Sequence, residues 1–196
     1  METPASVKMP FSRRDFLTGA GKLSVASIAM LAGISPKAFA ADHISAPYQD
    51  LVVLNEILGT EHEGIATYQI FADGDVFKTD IRKTALIFQG HHKAHRDLLI
   101  TTIQKLGGDP VKAKTNDEYA VDLDTAAITT QTDALSLLTK LEVGAANAYI
   151  GMLPFTTNRE LAKMAGRITA DEVMHWAVLM NTLQEPFPTS AMSFGA

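Results

Sequence analysis

The sequence contains no cysteine and few basic residues. Without cysteine the chain cannot form disulfides, thiolate metal sites, a cysteine nucleophile or a lipidated N-terminal cysteine. Lys and Arg number 17 against 22 Asp and Glu, and outside residues 1–40 the counts are 12 and 20, a formal net charge of −8. Because a nucleic-acid partner requires a basic patch, none is expected.

Long apolar runs are also absent. Residues 23–33 form a short apolar run that is rich in Ala, Ser and Gly and too short to span a membrane securely. It follows the motif SRRDFL at 12–17, which is typical of twin-arginine export signals, and precedes a small-x-small cleavage signal at 38–40. We therefore predict a twin-arginine signal peptide over 1–40. The partner would be the twin-arginine export machinery and the destination the periplasm. An uncleaved N-terminal anchor is the alternative.

Residues 41–196 are predicted to form one all-α domain, a four-helix bundle. Apolar residues at helical spacing, bounded by capping residues and by Gly or Pro, predict helices at about 47–73, 79–106, 131–153 and 158–184. Residues 107–130 show no convincing helix. Since a helix hairpin needs only a few residues, this long connection predicts a crossover between the second and third helices.

Each predicted helix carries polar residues where its apolar face should continue. In the last helix Ile168, Glu172, His175, Leu179 and Leu183 share one face. A buried carboxylate costs several kcal/mol unless it is paired or binds a metal. The corresponding inward positions of the other helices are Glu61, His92 with His95, and Glu142.

These residues also agree in depth, lying roughly 16–24 Å along each predicted helix. They should meet in one central layer, and three carboxylates with three imidazoles could hold two divalent ions. Such donors, without thiolate, favour iron, manganese or zinc. The predicted metal ligands are Glu61, His92, His95, Glu142, Glu172 and His175.

The sequence around these residues also contains an internal repeat. Glu61 and Glu142 are each followed seven residues later by a tyrosine, Tyr68 and Tyr149. This pattern indicates two similar helix pairs related by a pseudo-twofold axis. We predict both tyrosines as core aromatics with satisfied hydroxyls. Off the apolar faces, Glu56, His62, Glu63 and His91 are predicted to lie at the surface.

The segments LNEILGTEHEGIATY (54–68), LEVGAANAY (141–149) and ITADEVMHWAVL (168–179) resemble the ferritin-like superfamily, in particular its exported ferritin-like domain proteins. The resemblance covers roughly residues 50–184. It implies a centre of one or two iron or manganese ions, formed by Glu61, His95, Glu142, Glu172 and His175, and an oxidase- or peroxidase-type action on dioxygen or peroxide. It leaves a homo-oligomer open.

The sequence departs from this family pattern at His92, which stands where the second helix carries a glutamate. With that carboxylate missing, either a single ion or two ions bridged only by Glu172 fits the ligand set. A different class of function also stays open, a metal-free structural or stress-associated bundle with a degenerate site. Iron storage in a cage is a third alternative, although the sequence has no room for a fifth helix after residue 184.

Overall fold

The computed structural model describes residues 46–156 and 158–195, and the segment predicted as a signal peptide lies outside them. The described residues contain no strand. They form four long helices, one short helix and a 3-10 turn at Thr125–Ala127: α1 Ala46–Asp73, α2 Thr79–Lys105, α3 Asn116–Asp122, α4 Gln131–Met152 and α5 Arg159–Leu183. The described part of the chain is therefore all-helical, as predicted, and the long helices begin and end within one residue of the predicted positions. None of the helices in the described ranges is long and apolar enough to cross a membrane.

Helix ends follow local chemistry. The Asn158 side chain accepts hydrogen bonds from the first backbone amides of α5, and Gln184 ends that helix in the left-handed conformation at φ 56°. After α2 the chain turns at Gly107 with φ 80°, a conformation that glycine adopts without steric cost. These caps set the lengths of the helices and hence the level at which their polar residues lie.

The four long helices pack as two pairs, α1 with α2 and α4 with α5. Helix α1 also packs on α4, whereas the backbones of α2 and α5 lie further apart and these helices meet mainly through side chains. Two apolar clusters fill the interior. One contains Leu54, Leu58, Leu99 and Ile168, and the other contains Phe71, Phe88, Leu135, Leu138 and Leu179. Between the two clusters lies a layer of buried polar side chains.

The connection from α2 to α4 is not free of helix, so the prediction for residues 107–130 was wrong over Asn116–Asp122. Thr115 accepts a hydrogen bond from the Glu118 amide, and the Glu118 carboxylate accepts one from the Thr115 amide. This capping box stabilises the start of α3 and is visible in the sequence as T-x-x-E. Tyr119, buried on α3, packs the short helix against α1.

Two polar residues of α1 hold the connection in place. Asn55 donates to the Asp109 carbonyl at 3.2 Å and accepts from the Val111 amide at 2.7 Å. His62 Nε2 lies 3.1 Å from the Val111 carbonyl, and His62 is only 8 % exposed. The prediction of His62 as a surface residue was therefore wrong, because the connection covers that face of α1.

We expect Asn55→Ala to loosen the connection without unfolding the domain. It removes two side chain–backbone hydrogen bonds, each of which contributes roughly 0.5–1.5 kcal/mol. Limited proteolysis should cleave residues 107–124 several times faster than in the parent. Asn147→Ala is the control, since Asn147 bonds to the backbone of Gly195 instead. Equal cleavage rates for the Asn55 variant and the parent would contradict this assignment.

Candidate metal centre

The structure brings all six predicted site residues together in the layer between the apolar clusters. None is more than 6 % exposed. Buried ionisable groups at this density require partners, so the distances among them decide what the layer can do. The residues are Glu61 on α1, His92 and His95 on α2, Glu142 on α4, and Glu172 and His175 on α5.

Glu61 forms one side of the layer. Its Oε2 lies 2.8 Å from His92 Nδ1, and its Oε1 accepts a 2.5 Å hydrogen bond from the Tyr149 hydroxyl. His95 Nδ1 lies 3.6 Å from the same Oε1. Both carboxylate oxygens are therefore oriented by fixed donors.

Glu142 forms the opposite side in a parallel arrangement. Its Oε1 accepts a hydrogen bond from the Tyr68 hydroxyl and lies 3.3 Å from His92 Nε2. Its Oε2 lies 3.2 Å from His175 Nδ1. His92 thus stands between the two glutamates, with one ring nitrogen facing each.

The two tyrosines exchange partners between helices. Tyr68 of α1 bonds Glu142 of α4, and Tyr149 of α4 bonds Glu61 of α1. Helical side chains lean toward the N-terminus of their helix, so a tyrosine two turns beyond its own glutamate reaches back to the central layer. Because α1 and α4 run antiparallel, each hydroxyl meets the glutamate of the other helix. This exchange explains the internal repeat, in which each glutamate is followed by a tyrosine seven residues later. Both hydroxyls are satisfied as predicted.

Glu172 differs from the other two glutamates. It is fully buried, yet neither of its oxygens has a hydrogen-bond partner in the described part of the chain. His95 Nδ1, 2.9 Å from Glu172 Oε1 but misaligned for a hydrogen bond, is also without one. Buried polar atoms in native proteins are nearly always satisfied, and an ion is one reason for an exception. These unpartnered atoms fit a cation.

Two sets of donor atoms could hold a metal ion, and each has its donors within 4.8 Å of one another. Both sets contain His92 and Glu172. The first set adds Glu61 and His95, and the second adds Glu142 and His175. Glu172 therefore lies where it could contribute to one site or bridge two.

Comparison with known proteins agrees with this arrangement. A family model described as the ferritin-like domain matches residues 49–185, which is most of the chain. The chain belongs to the ferritin-like domain family. Neither the curated proteins nor the solved structures contain a significant match to it. In this ferritin-like domain the matched residues include three of the long helices, all of α1 from residue 49 onward, and the whole polar layer.

His91, predicted to lie at the surface, is half-buried and adjoins the ferritin-like layer. Its Nδ1 lies 2.8 Å from His175 Nε2, and the two rings stack 5.1 Å apart. A hydrogen bond to the second ring nitrogen of a ligating histidine orients that ring and selects its tautomer. His91 could have been found from its spacing, because Phe88, His91 and His95 also fall on one edge of the α2 face.

The charges in this ferritin-like layer are arranged unevenly. Burial by itself raises the pKa of Glu61, but the His92 and His95 imidazoles bring the pKa down to about 2. Burial also opposes the charged form of Glu142, whose pKa is nevertheless lowered, chiefly by His92 and His175. For Glu172 burial prevails and raises the pKa. Glu172 is thus the carboxylate whose charge the protein's own groups compensate least.

We expect Tyr149→Phe to destabilise the metal-free ferritin-like domain by about 2 kcal/mol, since a buried hydrogen bond to a charged group contributes roughly 1.5–3 kcal/mol. Urea denaturation monitored by circular dichroism measures this change. Tyr119→Phe is the matched control, because the Tyr119 hydroxyl accepts only a 3.4 Å bond from the Lys114 amide. A loss no larger than that of the control would show that the Tyr149 hydroxyl contributes nothing specific.

Proposed function

We propose that this protein is an exported ferritin-like four-helix bundle, with α3 in its crossover, that binds one or two iron or manganese ions. We propose further that the centre acts on dioxygen or peroxide, as an oxidase or peroxidase. The observation that carries the metal site is the pair of buried, unpartnered Glu172 oxygens facing imidazoles from two helices. Export is supported by the SRRDFL motif at 12–17.

The donor set suits these ions. Glu61, His95 and Glu172 would hold one ion, and Glu142, Glu172 and His175 a second one, with His92 between the two sets. Carboxylate oxygens and imidazole nitrogens without thiolates match iron and manganese. Bound there, either metal would supply the one-electron chemistry that dioxygen or peroxide turnover requires.

The surrounding side chains position the ligands and exclude water. Tyr149 and Tyr68 each hold one oxygen of a glutamate, and His91 orients His175. Phe88 stacks on the His175 ring with centroids 4.2 Å apart, so this side of the layer is closed to solvent. Such fixed outer partners keep the ligands in place before an ion arrives.

The metal-free alternative also has an observation in its favour. His92 can bond both Glu61 and Glu142 through its two ring nitrogens, at 2.8 and 3.3 Å. An imidazole in this position links the two carboxylates as a bridging glutamate could not. In this alternative the layer serves only to fix the packing of the helices.

Metal analysis of the protein purified from its native host tests the proposal. We expect at least one equivalent of iron or manganese per chain and metal-dependent consumption of peroxide or dioxygen. Fractionation of the same cells should locate the processed chain outside the cytoplasm. A protein without stoichiometric metal would overturn the metal-centre proposal, and a metal-loaded protein that consumes neither oxidant would overturn the redox role alone.

A further inference from the structure

A groove of about 800 Å³ lies between α2 and α5. His91, His95 and Asp171 line one end of it. Since α2 and α5 are antiparallel, the groove continues from these residues toward the end of α2 and the start of α5. It therefore reaches from the surface to the His95 side of the central polar layer.

The inner end of the groove reaches the candidate metal centre. The His95 side chain is 7 % exposed, and its Nε2 lies 3.2 Å from Asp171 Oδ2 at the groove wall. Its other nitrogen, Nδ1, faces the layer without a hydrogen-bond partner among the described residues. A molecule in the groove would thus lie one imidazole away from the centre.

The walls of the groove are apolar. Leu98 of α2 lines it together with Leu161, Met164 and Ile168 of α5, three side chains that are largely buried in the core. Leu98 is 46 % exposed although it is a large apolar side chain. Covering this surface with an apolar chain would be favourable by the hydrophobic effect.

The outer end of the groove is basic in a chain whose net charge is negative. Lys105 and Lys163 line it, Arg167 lies one turn further in, and none of the three has an ion-pair partner within the described residues. Lys163 and Arg167 are one turn apart on α5, so their charges lie on the same side of the helix. Glu160 is the one acidic side chain lining this end.

We propose that the groove binds an amphipathic organic anion, a carboxylate with an apolar chain. The carboxylate lies against Lys163 and Arg167, and the chain runs past Leu98 toward His95. The eight residues from Lys163 to Asp171 span roughly 12 Å, which suits a chain of medium length, and the groove volume is typical of small-molecule sites. The inference rests on the proposed function in naming a substrate class for that centre, but binding itself does not require the ion.

Titration calorimetry of the purified protein with decanoate, 1-decanol and decylammonium, below micelle formation, tests the charge preference. We expect decanoate to bind about tenfold more tightly than decanol, because two or three partly exposed ion pairs contribute modestly each. Decylammonium should bind most weakly. The double variant Lys163→Gln/Arg167→Gln should remove the preference for decanoate, and Lys83→Gln/Lys140→Gln, with the same change in charge outside the groove, should keep it.

A second pair of variants tests the apolar wall. Leu98→Asp should weaken decanoate and decanol binding alike, whereas Leu86→Asp, at 44 % exposure on the same helix but outside the groove, should leave both unchanged. Equal affinity of the parent for decanoate and decanol, or no binding of either, would overturn the proposal. Metal content is measured on the same samples. If the parent contains metal but does not bind decanoate, only the proposal of an anion-binding groove is overturned. If the parent binds decanoate but contains no metal, only the proposed metal-dependent function is overturned.

Discussion

Glu172→Gln is expected to abolish stoichiometric metal binding while leaving the helical fold intact. Glu172 belongs to both donor sets, so its loss affects one ion or two alike. Removing even an outer partner of a metal ligand costs roughly 10–100-fold in affinity, and loss of the shared carboxylate should exceed about 100-fold. Metal analysis after gel filtration, with circular dichroism for the fold, measures both effects.

The same variant should be at least as stable as the parent once both are stripped of metal. A buried carboxylate with unpartnered oxygens is unfavourable, and the neutral amide of glutamine removes that cost at nearly equal size. Glu63→Gln on α1 is the matched control and should change neither metal content nor stability. Retention of metal by the Glu172 variant would refute the assignment of Glu172 as the shared ligand.

The gathering of the six site residues could be predicted because it depends on periodicity and depth alone. Glu61, Glu142 and Glu172 interrupt apolar faces near the middle of their helices, and helices of similar length must bring their midpoints together. The wrong surface prediction, that of His62, concerned a residue whose environment is set by another segment. His62 is buried by the connection after α2, and the contact of the half-buried His91 with His175 likewise depends on how α5 packs.

The hydrogen bonds of the two tyrosines show that a sequence pattern can predict symmetry without predicting which residues are in contact. The seven-residue spacing of Glu61 to Tyr68 and of Glu142 to Tyr149 indicates symmetry, but it does not say which tyrosine bonds which glutamate. That pairing follows only from the antiparallel packing of α1 on α4. The basic groove could not be predicted either, since it depends on how α2 and α5 pack against each other.

Removing the metal from the protein as purified is expected to lower its melting temperature by roughly 8–16 °C. An ion at 1,000 times its dissociation constant stabilises the native state by about 4.1 kcal/mol. For a chain of this size each kcal/mol corresponds to about 2–4 °C. Differential scanning calorimetry before and after exhaustive chelation, followed by re-addition of the ion, measures the shift and its reversal.

The Glu172→Gln variant provides the control for chelation, because it should melt at one temperature with or without chelator. In the metal-free alternative the parent would behave in the same way, since His92 already links Glu61 to Glu142 and no ion contributes to the native state. A melting temperature of the parent that chelation leaves unchanged would therefore favour a structural role for the polar layer. A reversible loss confined to the parent would require that the ion stabilises the fold through Glu172.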